Sequence, residues 1–156
     1  MTIIEANPHS SPKPKRAAQT VTLWLVFGWF ALGGLAHFAF TETEMRIVPP
    51  QLPAPRALVW ISGAFELLGA AGLLARRTRR AAGWGLMALT CAVTPANVYM
   101  WQHPERFSNI PYWALTLRLP LQVLLLVAIN WASKAPNKIV PTRHGDGKRS
   151  ARAERR

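Results

Sequence analysis

Four apolar runs, each about as long as a helix that crosses a bilayer, leave this 156-residue chain few ways to fold. They cover 19–40, 57–75, 81–101 and 112–132 and consist mainly of Leu, Ala, Val, Phe and Trp. At roughly 1.5 Å of rise per residue, about 20 residues traverse a hydrocarbon core about 30 Å thick. The expectation is an all-α fold, a four-transmembrane-helix bundle in up-down order. Mean hydropathy is only +0.08, because residues 1–18 and 133–156 are polar, basic and read as disordered tails. The first run also invites reading as a cleaved signal peptide, since "KPKR" precedes it. It is long for that, "GLAHFAF" is a poor cleavage site, and three more runs follow.

The formal net charge of +12 would suggest nucleic acid in a water-soluble chain, but here the basic residues sort by loop. Lys13, Lys15 and Arg16 precede the first run, "RRTRR" (Arg76 to Arg80) joins the second to the third, and eight Lys or Arg follow the fourth. The other two loops hold Arg46 and Arg56, then Arg106. By the positive-inside rule both termini and "RRTRR" are cytoplasmic, loops 41–56 and 102–111 face outward, and the chain is a multi-pass protein of a bacterial-type inner (plasma) membrane. The charge reports orientation, so the expected partner is the lipid bilayer and not nucleic acid. The Arg-rich tail adds attraction to anionic lipid at about 1 kcal/mol per basic residue near the surface.

Several chemistries are excluded by count. Cys91 is the single cysteine, which leaves no internal disulfide, no C-x-x-C relay and no Cys-rich metal site. Of four histidines only His37 lies in a run, so one chain cannot hold a haem between two of its own histidines. No Gly-rich phosphate loop and no His-Glu-x-x-His helix is present. The expectation is therefore no metal, no covalently bound cofactor and no identifiable catalytic residue.

What the runs do carry is a layer of polar groups. Counting about 1.5 Å per residue from the outer ends, His37 lies about 5 Å deep on the first run and Asn97 about 6 Å deep on the third. Arg118 lies about 9 Å deep on the fourth, Glu66 about 14 Å on the second, and Gln122, one turn below Arg118, about 15 Å. All five fall in the outer half. An acid at the centre of a spanning helix costs about 3 kcal/mol unless compensated. Ser62, Gly63, Gly69 and Ala70 flank Glu66 at helical spacing and admit a close neighbouring helix, as Gly33 and Gly34 do beside His37.

Arg118 cannot shed its charge, and Glu66 is the only acid inside any run. The expectation is an ion pair of Glu66 with Arg118, joined by Gln122 and lining one polar pocket with His37 and Asn97. Two alternatives stand: Arg118 snorkels outward to water or to Glu42, Glu44 or Glu105, or the pair forms but only locks the bundle. The tryptophans read as packing or interface anchors. Pro95 and Pro120 each remove a helical hydrogen bond and predict kinks flanking the polar layer. The outer loop "MRIVPPQLPAPR" reads as an extended cover over the bundle mouth or as a plain connector.

In order and spacing, "GGLAHF", "ISGAFELLGAAGLL", "RRTRRAAGWGLMAL", "TPANVYMW" and "LRLPLQVLLLVAINWA" resemble the DoxX-like family of small four-helix membrane proteins. The resemblance runs from about Gly33 to Ala132. It places the family's polar positions on His37, Glu66, Asn97 and Arg118, with Pro120 and Gln122 in the last motif. It implies a subunit of a quinone-linked or thiol-redox membrane system, with quinone as the implied ligand and a soluble or membrane oxidoreductase subunit, or a second copy of the chain, as implied partner. The reading of another class is a non-catalytic scaffold or assembly subunit whose polar layer only fixes helix packing. A transporter is a more distant third, because four spans would need a dimer to line a path.

Overall fold

In a computed structural model of the chain, which describes residues 14–134, the apolar runs become helices. They are α1 (Pro14–Ala39), α3 (Pro55–Leu74), the consecutive pair α4 (Arg79–Ala92) and α5 (Thr94–Gln102), and α6 (Tyr112–Ser133). A short α2 (Thr41–Met45) and a 3-10 turn (Pro104–Phe107) sit in the two longer connections. The tails 1–13 and 135–156, and the disorder expected of them, lie outside the described residues. Residues 14–18, expected in the tail, belong to α1.

The fold is all-α, with no strand among the described residues. Three helices, α1, α3 and α6, are long and apolar enough to cross a membrane. Apolar side chains stand exposed on them: Leu32, Leu68 and Trp113 are each about 70% exposed, a surface of the kind that lipid or another apolar surface covers.

The third run does not form the single helix expected over 81–101. It is divided at Val93, between α4 and α5. The cause is Pro95, in the first turn of α5, which has no N–H for the Cys91 carbonyl and whose ring crowds that carbonyl. The Val93 amide still bonds to Leu89 O at 3.0 Å, and Asn97 N to Val93 O at 3.4 Å, so the chain bends there without unwinding. Pro120, by contrast, is absorbed within α6.

Residue pairing gives the register. Gly33 of α1 meets Glu66 of α3 while Gly63 meets His37; Gly69 and Gly72 of α3 meet Leu86 and Ala82 of α4; Gly83 of α4 meets Ser133 of α6. Rising numbers on one helix meet falling numbers on the next, so neighbours are antiparallel. The helices close a ring in the order α1, α3, α4, α6, with α6 returning to α1. α5 keeps its packing on α6 but makes none of comparable extent on α1 or α3.

One end of this ring is solid. Leu23, Val26, Phe30, Ala70, Leu73, Leu86, Ile129 and Ala132 form its buried core. The end is closed by side chains on helix C-terminal carbonyls, the groups a helix leaves without partners. Arg79 donates to Leu73 O at 2.7 Å and to Leu74 O at 3.3 Å, and Thr78 Oγ1 to Gly72 O at 2.8 Å. Gln19 Nε2 reaches Trp131 O and Lys134 O across 112 and 115 residues of sequence. Part of "RRTRR" thus serves as helix caps as well as carrying loop charge.

Candidate functional site

At the other end the ring is hollow. A cavity of about 1000 Å³ opens between α1, α3, the α4–α5 junction and α6. It lies where α5, beyond the Pro95 break, packs on α6 and not to comparable extent on α1 or α3. Its walls are mainly apolar, among them Trp29, Leu58, Leu89, Leu121 and Leu125. Ile47, Val48, Pro49 and Leu52 of the Pro-rich loop between α2 and α3 complete it. That loop is tied down at both ends of its span: Glu42 pairs with Arg56, and Trp60 Nε1 donates to Thr41 Oγ1 at 3.1 Å.

All five residues of the expected polar layer, His37, Glu66, Asn97, Arg118 and Gln122, line this one cavity. They do not form one network. The expected Glu66–Arg118 ion pair is absent. Glu66 Oε1 instead lies 3.6 Å from His37 Nε2. The side chains of Glu66 and His37 are 14% and 18% exposed. The reason is the ring order: α3 neighbours α1 and α4 and stands diagonally across from α6, so Glu66 reaches the helix beside it.

The α1–α3 interface is built around this contact. A Cβ on Gly33 would stand 2.8 Å from Glu66 Oε2, and one on Gly63 would stand 2.7 Å from His37 Cβ and 3.1 Å from Gly34 O. Each helix thus supplies a glycine opposite the other's ionisable side chain, the small-residue device of close membrane-helix packing. Helical spacing alone sets Gly33 and Gly34 beside His37 on their own helix; in the structure Gly33 makes room for Glu66. The small residues flanking Glu66 also serve two neighbours rather than one, Gly63 facing α1 and Gly69 facing α4.

His37 has a second carboxylate, one that the sequence suggests only as a terminus for Arg118. Glu44, on α2, places Oε2 4.0 Å from His37 Nδ1. The imidazole therefore stands between Glu44 near the mouth and Glu66 inside. His37 Nδ1 and Glu66 Oε2 are buried without a hydrogen-bond partner. The sequence signal for Glu44 is its place seven residues after His37, just past the helix end. Among the described residues no group of three or more His, Cys, Asp or Glu has the arrangement to hold a metal ion.

Gln122 belongs to a different cluster. Its Nε2 donates to Thr90 O and Thr94 Oγ1, both at 2.6 Å, and its Oε1 accepts from Asn97 Nδ2 at 2.8 Å. The Gln122 amide thereby bridges the break between α4 and α5 from the facing helix, satisfying polar groups loosened by Pro95. Thr90 and Thr94 are partners that sequence reasoning misses; two threonines one turn apart, just ahead of a helix-breaking proline, are the available signal.

Arg118 stands apart. It is exposed, it lines the cavity, and no carboxylate of the described residues lies within ion-pair distance. Of the expected alternatives for it the three carboxylates are engaged elsewhere, Glu42 by Arg56, Glu44 by His37, and Glu105 by His103 at 3.2 Å, while water stays open to the exposed side chain.

Comparison with curated proteins and with solved structures finds no match to this chain. Residues 26–135 do match one family, and they take in part or all of every helix that lines the cavity. The chain belongs to the family described as a domain of unknown function, DUF8561.

Proposed function

We propose that this chain is a multi-pass plasma-membrane protein whose cavity binds an amphiphile with a polar head, as a non-cofactor-bearing subunit of a quinone-linked or thiol-redox membrane system. In this reading α4 and α5 together make the fourth crossing: their 14 and 9 residues, at about 1.5 Å each, give a path of about 35 Å, enough to cross a core about 30 Å thick even with the bend at Val93. Both tails and "RRTRR" lie on the cytoplasmic side, which puts the cavity in the outer half of the bilayer. The similarity to the DoxX-like family supports the redox assignment and makes a quinone the first candidate ligand.

The observation that carries the reading is the cavity itself. Apolar walls with a few convergent polar groups are the usual composition of a small-molecule site, and about 1000 Å³ stands at the upper end of the common range of about 300–1,000 Å³. The test is extraction of the protein from its native membrane in mild detergent, followed by mass spectrometry of retained small molecules and of co-purifying proteins. Quinone at near-stoichiometric amounts, or a soluble oxidoreductase, supports the assignment. A protein that is folded, free of any retained amphiphile and alone defeats it.

A scaffold or assembly role is the second reading, and the Gln122 cluster favours it. Gln122, Asn97, Thr90 and Thr94 satisfy one another across three helices, which is what a polar layer devoted to helix register does. Retention of function in cells by Glu66→Gln, together with an empty cavity after purification, would decide for it.

A further inference from the structure

We propose that Arg118 is the anion subsite of the cavity, and that its ligand is an acidic amphiphile: a carboxylate or phosphate head on an aliphatic chain. The proposal rests on the reading of the cavity as an amphiphile site and narrows its ligand from a neutral head to an acidic one.

The argument is one of charge accounting. The described residues contain four carboxylates, Glu42, Glu44, Glu66 and Glu105, and each faces Arg56, His37 or His103. None faces Arg118. A guanidinium stays charged at any accessible pH, and one about 9 Å from the outer end of its helix is costly in hydrocarbon unless an anion or water meets it. The described residues supply no anion, although they place the guanidinium's helix on the cavity wall. Arg118 is exposed, so water meets it when no ligand is bound, and an acidic head entering the cavity is the counter-ion that the described residues do not supply.

The cavity is also divided by chemistry. On the α1–α3 wall the acids Glu44 and Glu66 are held to His37, with Glu66 Oε2 tucked against Gly33. α6 borders α1 and α4 and lies across the ring from α3, so Arg118 stands on the helix opposite that of Glu66. Below and beside Arg118 run Leu121, Leu125 and Leu89, a lining suited to an aliphatic chain. A bidentate bond from guanidinium to carboxylate or phosphate fixes the head.

The experiment uses the full chain in nanodiscs of zwitterionic phosphatidylcholine. Tryptophan quenching by a dibrominated octadecanoic acid is compared with quenching by the matching alcohol and by a short-chain ubiquinone. Trp29 is the tryptophan of the cavity wall, and because it is also 55% exposed, the part of the signal that is lost in Trp29→Phe and saturates with added probe reports the cavity. Acid should bind at least about tenfold tighter than alcohol, and Arg118→Gln should remove that advantage while leaving the alcohol unchanged, the scale of a charge-assisted hydrogen bond. Arg118→Lys should keep part of the advantage. Equal binding of acid and alcohol, or an equal effect of Arg118→Gln on both, overturns the acidic head while leaving an amphiphile site standing. Absence of any Trp29-dependent signal from all three probes overturns the cavity reading and this proposal with it. Adding phosphatidylglycerol to the nanodiscs separates the two sources of an acidic head: competition assigns the site to an anionic phospholipid, and its absence to a single-chain acid.

Discussion

The two ends of the bundle use the same device for different results. At the solid end Gly69 and Gly72 admit the apolar side chains Leu86 and Ala82 of α4, and the space is filled. At the hollow end Gly33 and Gly63 admit Glu66 and His37, and the space beyond them stays open. Close approach of backbones is common to both, so it is not what makes the cavity. The difference lies in the fourth side of the ring, where α4 continues the solid end but α5 turns away after Pro95. The break at Pro95 in the third run lies on the wall of the chamber.

That contrast is broken most directly by removing the same side chain from each end. Leu86 is 1% exposed in the solid core, whereas Leu89, one turn on, lines the cavity. In a bilayer the transfer contribution of a leucine shrinks, since lipid tails are as apolar as the core, but the cost of a new void remains. Leu86→Ala should destabilise the protein by about 2 kcal/mol, and Leu89→Ala by less than about 1 kcal/mol because it enlarges a void already present. Reversible unfolding in mixed micelles measures both. Equal losses would mean that the cavity collapses in the folded protein.

A smaller effect sharpens the comparison at the α1–α3 contact. Gly63→Ala forces its new methyl against His37 Cβ and the Gly34 carbonyl, the latter being backbone that cannot rotate aside. A loss of about 1.5 kcal/mol is expected from such overpacking. Gly28 is the control, because a methyl group added there would meet nothing within 4 Å. Gly28→Ala should be neutral or slightly stabilising in the same unfolding assay.

Much of this is legible from residue order alone. Hydrophobic runs place the helices to within a few residues, since a bilayer-length apolar segment has few alternatives to a helix. Depth counting puts His37, Glu66, Asn97, Arg118 and Gln122 in one layer, and all five line one cavity. What depth cannot supply is the angle around each helix and the order of helices around the ring. Those decide partners, so matching by charge pairs Glu66 with Arg118 when its neighbour is His37. The same gap hides Glu44, which reaches His37 only because α2 folds back over the mouth. Pro95 signals a kink, but a kink's direction depends on what packs beside it. The chamber it opens is a property of the assembled bundle.

The smallest expected effect decides which pairing is real. In a double-mutant cycle, residues that share an interaction show a coupling energy, whereas sites without shared partners add. His37→Ala leaves Glu66 buried and partnerless, and Glu66→Ala leaves His37 only the more distant Glu44, so each alone is destabilising, and the double variant should recover part of the combined loss. A coupling of about 1 kcal/mol is expected, modest because the 3.6 Å separation is longer than a good hydrogen bond. The parallel cycle of Glu66→Ala with Arg118→Leu should add to within about 0.5 kcal/mol, because the two side chains do not meet. Both cycles read out as unfolding free energies in the same micelles. Coupling confined to the Glu66–Arg118 cycle would place the carboxylate across the ring, against the observed geometry, and would take away the free guanidinium on which an acidic ligand depends. Coupling in the His37 cycle alone keeps Arg118 available to whatever enters the chamber.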